Sequence, residues 1–259
     1  MKSKKTIYFS SENDEVVKFK EKPITIDENY KYTNSNKIYK FFSWLSYYFF
    51  AVPFAFLTFK IIKRVKFHNK KLLKKYKNTG YFIYANHTNQ FGDGFCPGLI
   101  TFPKKTYIIV NPVNISIPII GKLIKMWGAV PLPTTYKATK NFYSYLEKVL
   151  NKNNPVLIYP EAHLWPYYTK IRNFSSSSFR YPVKFNKPIF CFTTIYKSNK
   201  NKKPKVEIYI DGPFYPNLNL NEKLSQQQLR DLVYSKMQKR SELNNYEHIN
   251  YVKKEKADD

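Results

Sequence analysis

Glycine is scarce in this chain: 7 in 259 residues. None of them builds a G-x-G-x-x-G turn, a phosphate-binding G-x-x-x-x-G-K-[S/T] loop, or a G-x-S-x-G elbow around a serine. H-E-x-x-H is missing too, so dinucleotide folds, P-loop nucleotide chemistry, serine hydrolases and zincins are excluded as readings. Cysteine is limited to Cys96 and Cys191, with no C-x-x-C and no paired framework. That predicts a reducing compartment, no disulfide and no metal site. Cys191 lies in an apolar run, as a small core residue would. Acidic residues are few, 18 against 44 Lys and Arg, which leaves a formal charge of +26. Heavy use of Lys, Asn, Tyr and Ile also fits an AT-rich coding genome, which accounts for part of that charge. The remainder favours a polyanionic partner: nucleic acid, anionic membrane or a phosphorylated substrate. The first forty residues hold no apolar centre beside a cleavage site, so no secretory signal is expected.

Charge itself is absent from residues 41–59, "FFSWLSYYFFAVPFAFLTF". Lys40 precedes this run, and Lys60, Lys63, Arg64 and Lys66 follow it. An uncharged run of ~20 residues can span a bilayer. Here aromatics outnumber Leu and Ile, Pro53 interrupts the run, and aromatics prefer the membrane interface. Basic residues on both sides give no orientation. Three readings stay open: a helix or helical hairpin in one leaflet, a single span, or a buried core helix. The basic stretch 60–77 favours an anionic lipid surface, at ~1 kcal/mol per well-placed cation; the plainer reading is a solvated helix face.

The chain divides into a polar N-terminal arm (1–40), read as a tail or loosely docked, a membrane-associating helical segment (41–76), and one layered domain (77–259). In the last, short apolar runs alternate with helical stretches. Strands are expected at 81–85, 106–110, 129–132, 155–159, 189–195 and 206–210. The first, fourth and fifth are almost wholly apolar, as in strands covered on both faces. Residues 206–210 alternate, as in an edge or half-exposed strand. Helices are expected at 118–127, at 138–151 with Phe142, Leu146, Val149 and Leu150 on one face, and at 222–241 with Leu229, Leu232, Val233 and Met237 buried. The fold class is α/β: a mostly parallel central sheet flanked by helices, with an N-terminal aromatic membrane-associating segment.

Binding loops of such sheets lie beyond the carboxyl ends of the strands. Two strand ends each deliver a histidine and a carboxylate there: His87 and Asp93 in "ANHTNQFGD", Glu161 and His163 in "YPEAHLWP". Either alone is usually a surface hydrogen-bonding group; both together point to a site. A neutral histidine can take a proton from an alcohol, and a carboxylate can hold its tautomer. A substrate hydroxyl then makes a serine nucleophile unnecessary. "FSSSSF", 174–179, reads as a flexible polar loop.

"NHTNQFGD" resembles the first motif of the glycerolipid acyltransferases, Asn-His, four residues, then Asp. "YPEAHLWP" resembles their third, Pro-Glu-Gly-Thr; residues 117–133 resemble the second-motif region, and "KPIFCFTTIY" the fourth. All four occur in the family's order over about 77–213. The resemblance implies an O-acyltransferase of the lysophosphatidate acyltransferase type. His87 would be the general base and Asp93 its orienting partner. Glu161 would organise the acceptor phosphate site, with Asn86, His163, Arg172, Arg180 and Lys137 as further substrate-binding residues. It implies no cofactor and no metal. Acyl-CoA, acyl carrier protein or acyl phosphate is the donor, a lysophospholipid the acceptor, and a membrane phospholipid surface the partner. The expected place is the cytoplasmic face of the cell membrane, monotopic or single-span. Three departures stand out. Five residues separate His87 from Asp93; on an ideal helix the extra one rotates Asp93 by ~100°. Gly92 could absorb it, or Asn89 or Gln90 could hold the ring instead. The third motif's Gly and Thr are replaced. The second motif's strand offers Lys137 rather than Arg. The alternatives are a catalytically inactive lipid-binding relative and a nucleic-acid-binding basic protein; no nucleic-acid partner is expected, since no recognition module is visible.

Overall fold

The computed structural model describes residues 5–18, 21–199 and 204–254. Among these residues nine strands follow in chain order: β1 Lys5–Phe9, β2 Lys66–His68, β3 Phe82–Ala85, β4 Tyr107–Val110, β5 Ala129–Pro131, β6 Val156–Ile158, β7 Ile189–Lys197, β8 Lys205–Phe214 and β9 Ile249–Lys253. Seven form one sheet in the order β2-β8-β7-β3-β6-β4-β5. Strands β7, β3, β6, β4 and β5 run parallel. Strand β8 is antiparallel to β7, and the short β2 caps its outer edge. All six expected strands are present, and β3 is central, its four residues buried on both faces.

Side-chain alternation sorts the core into two layers. Phe82, Tyr84, Val156, Ile158 and Cys191 face helices Thr139–Asn151 and Glu222–Ser241. Tyr81, Ile83, Ala85, Leu157 and Phe190 face helix Gly92–Thr101 and the apolar helix that precedes the sheet. Helix Thr139–Asn151 buries the four residues expected of it. On helix Glu222–Ser241, Leu229, Val233 and Met237 are buried, but Leu232 is 46 % exposed. It lies on the outer side, where Ser225 rather than a second leucine completes the inward stripe.

Residues 37–62 form one helix, long and apolar enough to cross a membrane by length and composition. It is continuous, so the hairpin reading is corrected. Turns of π-helix, Tyr47–Ala51 and Phe56–Ile62, flank Pro53. This underwinding lines up residues four apart, and Tyr47, Ala51, Ala55 and Phe59 form the buried stripe. Phe41, Phe42, Trp44, Phe49, Phe50 and Phe54 are exposed. The core-helix reading therefore fails: only a narrow side of this helix is inside.

Two other expectations are corrected. The basic stretch after this helix is not a long helix: β2 pairs with β8, and Lys70–Tyr76 is a 3₁₀ turn. The N-terminal arm is not loosely docked. β1 lies parallel to β9 and Ile26 is fully buried. This pairing joins residues some 240 positions apart, and local periodicity carries no trace of it. The serine run is also anchored: Phe174 and Phe179 are buried, and Tyr84 Oη donates to the Ser178 carbonyl at 2.8 Å.

Candidate active site

The buried strand β3 ends at Ala85, and His87 stands two residues beyond it. The chain then turns through 88–91 before helix Gly92–Thr101 begins, which puts Asp93 in that helix's first turn. The intervening residues are not helical, so the extra residue causes no 100° rotation. His87 Nδ1 meets Asp93 Oδ2 at 2.8 Å. The Asn89 amide donates to the same oxygen at 3.0 Å. Asn89 thus supports Asp93 and does not replace it. Gly92 matters sterically rather than through an unusual dihedral. A Cβ there would lie 2.0 Å from Asn89 Nδ2, and the Gly92 N–H donates to Asn89 Oδ1.

An ionised carboxylate only accepts, which assigns the Nδ1 proton to His87 and leaves Nε2 as the basic nitrogen. The His87 side chain keeps 23 % of its exposure while Asp93 keeps 7 %. Burial pushes the Asp93 carboxyl above its ordinary value of 3.8, against the opposing pull of His87 and of the Asn89 and Thr88 amides.

Pro97 sits inside the same helix. It has no N–H to give the carbonyl four residues back, that of Asp93. Tyr159 Oη supplies the missing donor at 2.6 Å, and its ring stacks on the His87 imidazole, centroids 4.2 Å apart. Burial keeps the Tyr159 phenol protonated, with Asp93 adding to the shift. Tyr159 was not singled out in the sequence; the proline four residues after Asp93 is the signal that calls for such a donor. Burial also raises the Cys96 thiol, so it is no nucleophile.

The other strand-end loop holds His87 by its backbone. Glu161 Oε2 accepts the His87 N–H at 3.0 Å, and the Trp165 N–H donates to the His87 carbonyl at 3.0 Å. Arg172 completes this brace. Its amide and guanidinium reach the two Glu161 oxygens at 3.0 and 3.3 Å, and it also donates to the carbonyls of His163 and Glu12. Arg172 stacks on Trp165, itself caged by Phe9, Tyr168 and Tyr251. Burial raises the Glu161 carboxyl above 4.5, with Arg172 and the two amides pulling it back. Ala162 takes φ +62° where the third motif has glycine, a left-handed conformation that disfavours a Cβ.

Several expected binding residues are elsewhere employed. Arg172 is 1 % exposed and spends its charge on Glu161, so it cannot neutralise an acceptor phosphate. Asn86 is buried and bridges β3 to β7, exchanging two hydrogen bonds with the Thr194 backbone. Arg180 packs on Tyr181, on the sheet face opposite helix Gly92–Thr101. Lys137 is exposed after β5, three strands from β3, a lateral distance of about 14 Å. His163 contributes its carbonyl to Arg172. No cluster of metal-binding side chains occurs among the described residues. A groove of about 810 Å³ runs along helix Glu222–Ser241 past Leu224 and Leu232 and includes none of the site residues.

A family model described as Acyltransferase matches residues 64–195, over half of the chain and all of this loop system. The chain belongs to the Acyltransferase family. The fold agrees. The crystal structure of the 1-acyl-sn-glycerophosphate (LPA) acyltransferase PlsC from Thermotoga maritima superposes with a TM-score of 0.50, over 81 % of this chain and 95 % of that one, at 16 % identity. At that identity the likeness concerns the fold alone. No curated protein matches the chain. In this acyltransferase the resemblance seen in the four motifs is thus upheld at the level of family and fold.

Proposed function

We propose that this acyltransferase moves a fatty acyl group from a thioester or acyl phosphate to a hydroxyl of lysophosphatidate or a related lysophospholipid, at the cytoplasmic face of a membrane. The observation that carries this reading is the 2.8 Å contact between His87 and Asp93, kept despite the extra residue. His87 Nε2 takes the proton of the acceptor hydroxyl as its oxygen attacks the acyl carbon. The carbon–sulfur or carbon–phosphate-oxygen bond breaks, and the imidazolium returns the proton to the departing thiolate or phosphate. Asp93 stabilises the imidazolium in between. No acyl-enzyme and no cofactor take part; the thioester donors of this reading are acyl-CoA and acyl carrier protein.

With Arg172, Arg180 and Lys137 occupied or distant, Lys63 is the cation assigned to the acceptor phosphate. Its Nζ lies over the rings of Phe59 and Phe91, the latter in the turn between His87 and Asp93. Lys63→Met should raise KM for a phosphorylated acceptor and spare an unphosphorylated one.

The acyl chain is assigned to the seam between the apolar helix and helix Gly92–Thr101. Ala51, Ala55, Gly94 and Gly98 line a slot of only about 40 Å³ there. That is room for about one water, so the helices must part to admit a chain. The apolar helix is read as lying in one leaflet, because its stripe from Tyr47 to Phe59 is packed against the domain along its length. The deciding experiment is acyl transfer by the purified protein with acyl thioester, acyl phosphate and several lysolipids. Activity that survives His87→Ala would overturn the mechanism, and lipid binding without turnover of any donor would favour the inactive, lipid-binding reading.

A further inference from the structure

The turn Pro118–Gly121 is built around an unusual residue. Ile119 has φ +61° and ψ −56°, and the Ile120 N–H bonds back to the Pro118 carbonyl at 2.6 Å. This is a three-residue γ-turn of the rare, strained kind. A β-branched side chain at positive φ is an outlier, where glycine or asparagine would be at ease. The strain is not offset by packing: Ile119 is 76 % exposed, and Ile120 and Leu123 behind it are also exposed. Nor is the turn loosely held. Gly121 presses so close to the short helix Pro112–Ser116 that a Cβ would lie 2.2 Å from the Ile115 carbonyl oxygen. Outliers that a structure holds rigidly mark functional positions.

The surroundings say what this apex meets. Helix Ile120–Met126 packs on the start of the apolar helix, where Ser43 Oγ donates to the Met126 carbonyl at 2.7 Å. The exposed Ile119, Ile120 and Leu123 therefore continue the exposed face of Ile38, Phe41, Phe42 and Trp44. Lys37, Lys40 and Lys122 are exposed on the same elements. From residue 29 to 146 the sequence contains no acidic residue except Asp93, which is buried. An apolar patch flanked by Lys37, Lys40 and Lys122 suits an anionic phospholipid surface.

We propose that the Ile119 turn is a second membrane-inserting element, a wedge that enters an anionic leaflet beside the apolar helix. It rests on the reading of that helix as membrane-bound. A helix alone leaves the domain free to roll about the helix axis. A second point of entry stops the roll and fixes the height of the His87 edge above the lipid.

The test uses the full chain with an environment-sensitive fluorophore on Ile119→Cys or, separately, Phe49→Cys; the native Cys96 and Cys191 are buried. Vesicles of phosphatidylglycerol and phosphatidylcholine are added, with a quencher carried in the acyl region. Both labels are expected to shift to the blue and be quenched. A response from Phe49→Cys alone overturns the wedge and leaves the helix reading standing. Silence from both overturns the helix reading and the wedge with it. Ile119→Gly gives a second readout. It relaxes the turn, so its thermal midpoint should rise while vesicle partitioning weakens by about tenfold, the order expected for losing one inserted isoleucine. Partitioning that is unchanged by Ile119→Gly also overturns the proposal.

Discussion

Two loops at the same sheet edge carry the same pair of residue types, and they do different work. After β3, His87 and Asp93 touch each other, and the histidine remains partly open. After β6, Glu161 turns away from His163 and grips the backbone of His87, with Arg172 buried beside it. The first loop keeps a partly open histidine; the second braces its backbone. A carboxylate near a histidine is therefore not a functional unit until the partner of each charge is known. Asp93 is matched by a ring that can be neutral or charged, Glu161 by a cation that is always charged.

The largest effects should separate the two histidines. His87→Ala should lower acyl transfer by about 10²–10⁴-fold, the range for a lost general base. His163→Ala, which keeps the carbonyl that Arg172 uses, should stay within about threefold in the same steady-state assay. The two carboxylates should then divide between activity and stability. Glu161→Gln strands the Arg172 charge and should cost about 3–5 kcal/mol in chemical denaturation. Asp93→Asn leaves no unpaired buried charge, only the Asn89 N–H that shares the Asp93 oxygen with His87. It should cost about 1–3 kcal/mol for that orphaned donor, less than Glu161→Gln, while turnover falls by about 10²-fold or more, because the wrong tautomer is held. Its stability relative to wild type should also depend on pH. The folded Asp93 carboxyl titrates above its ordinary value of 3.8, so ionising it costs stability as pH rises through that folded value. Asparagine escapes this cost, and the variant should gain on wild type as pH rises from about 4 toward neutrality. A gain in the opposite direction would mean that His87 outweighs burial.

Smaller effects sharpen the comparison. Tyr159→Phe leaves the Asp93 carbonyl without the donor that Pro97 cannot supply. It should lower stability by about 1–3 kcal/mol and reduce turnover by loosening the His87 ring. In the second loop, Ala162→Gly should raise stability by about 0.5–1 kcal/mol in thermal denaturation, since glycine accepts the φ of +62° that alanine resists. No gain there would mean that the loop relaxes around its alanine.

Much of the fold was legible because its strands are short, apolar and bounded by turns. The hydrophobic alternation of 206–210 and the stripe of 142–150 each report a local environment, and both are as read. Helix Gly92–Thr101 was not foreseen. It holds three glycines and a proline, poor helix formers, and burial of Cys96, Leu99 and Ile100 against β3 and the apolar helix holds it together. The contact between His87 and Asp93 was legible in type and position, while the partners of the expected binding residues were not. Arg172 looks like any loop arginine until Glu161, Trp165 and Glu12 are seen around it. Asn86 looks like part of a motif until its two bonds to Thr194 are counted. Such assignments depend on contacts between distant residues, which spacing along the chain does not encode.

The parallel pairing of β1 with β9 has a consequence for how this protein is made. Trp165, whose amide holds the His87 carbonyl, is walled on one side by Phe9 and on another by Tyr251. During synthesis the first wall leaves the ribosome long before the second. The strands of the main sheet and the His87–Asp93 pair all lie at or before β8, but the cage around Trp165 closes only when β9 arrives. A chain cut before β9 would carry every motif residue and still lack the Tyr251 side of that cage.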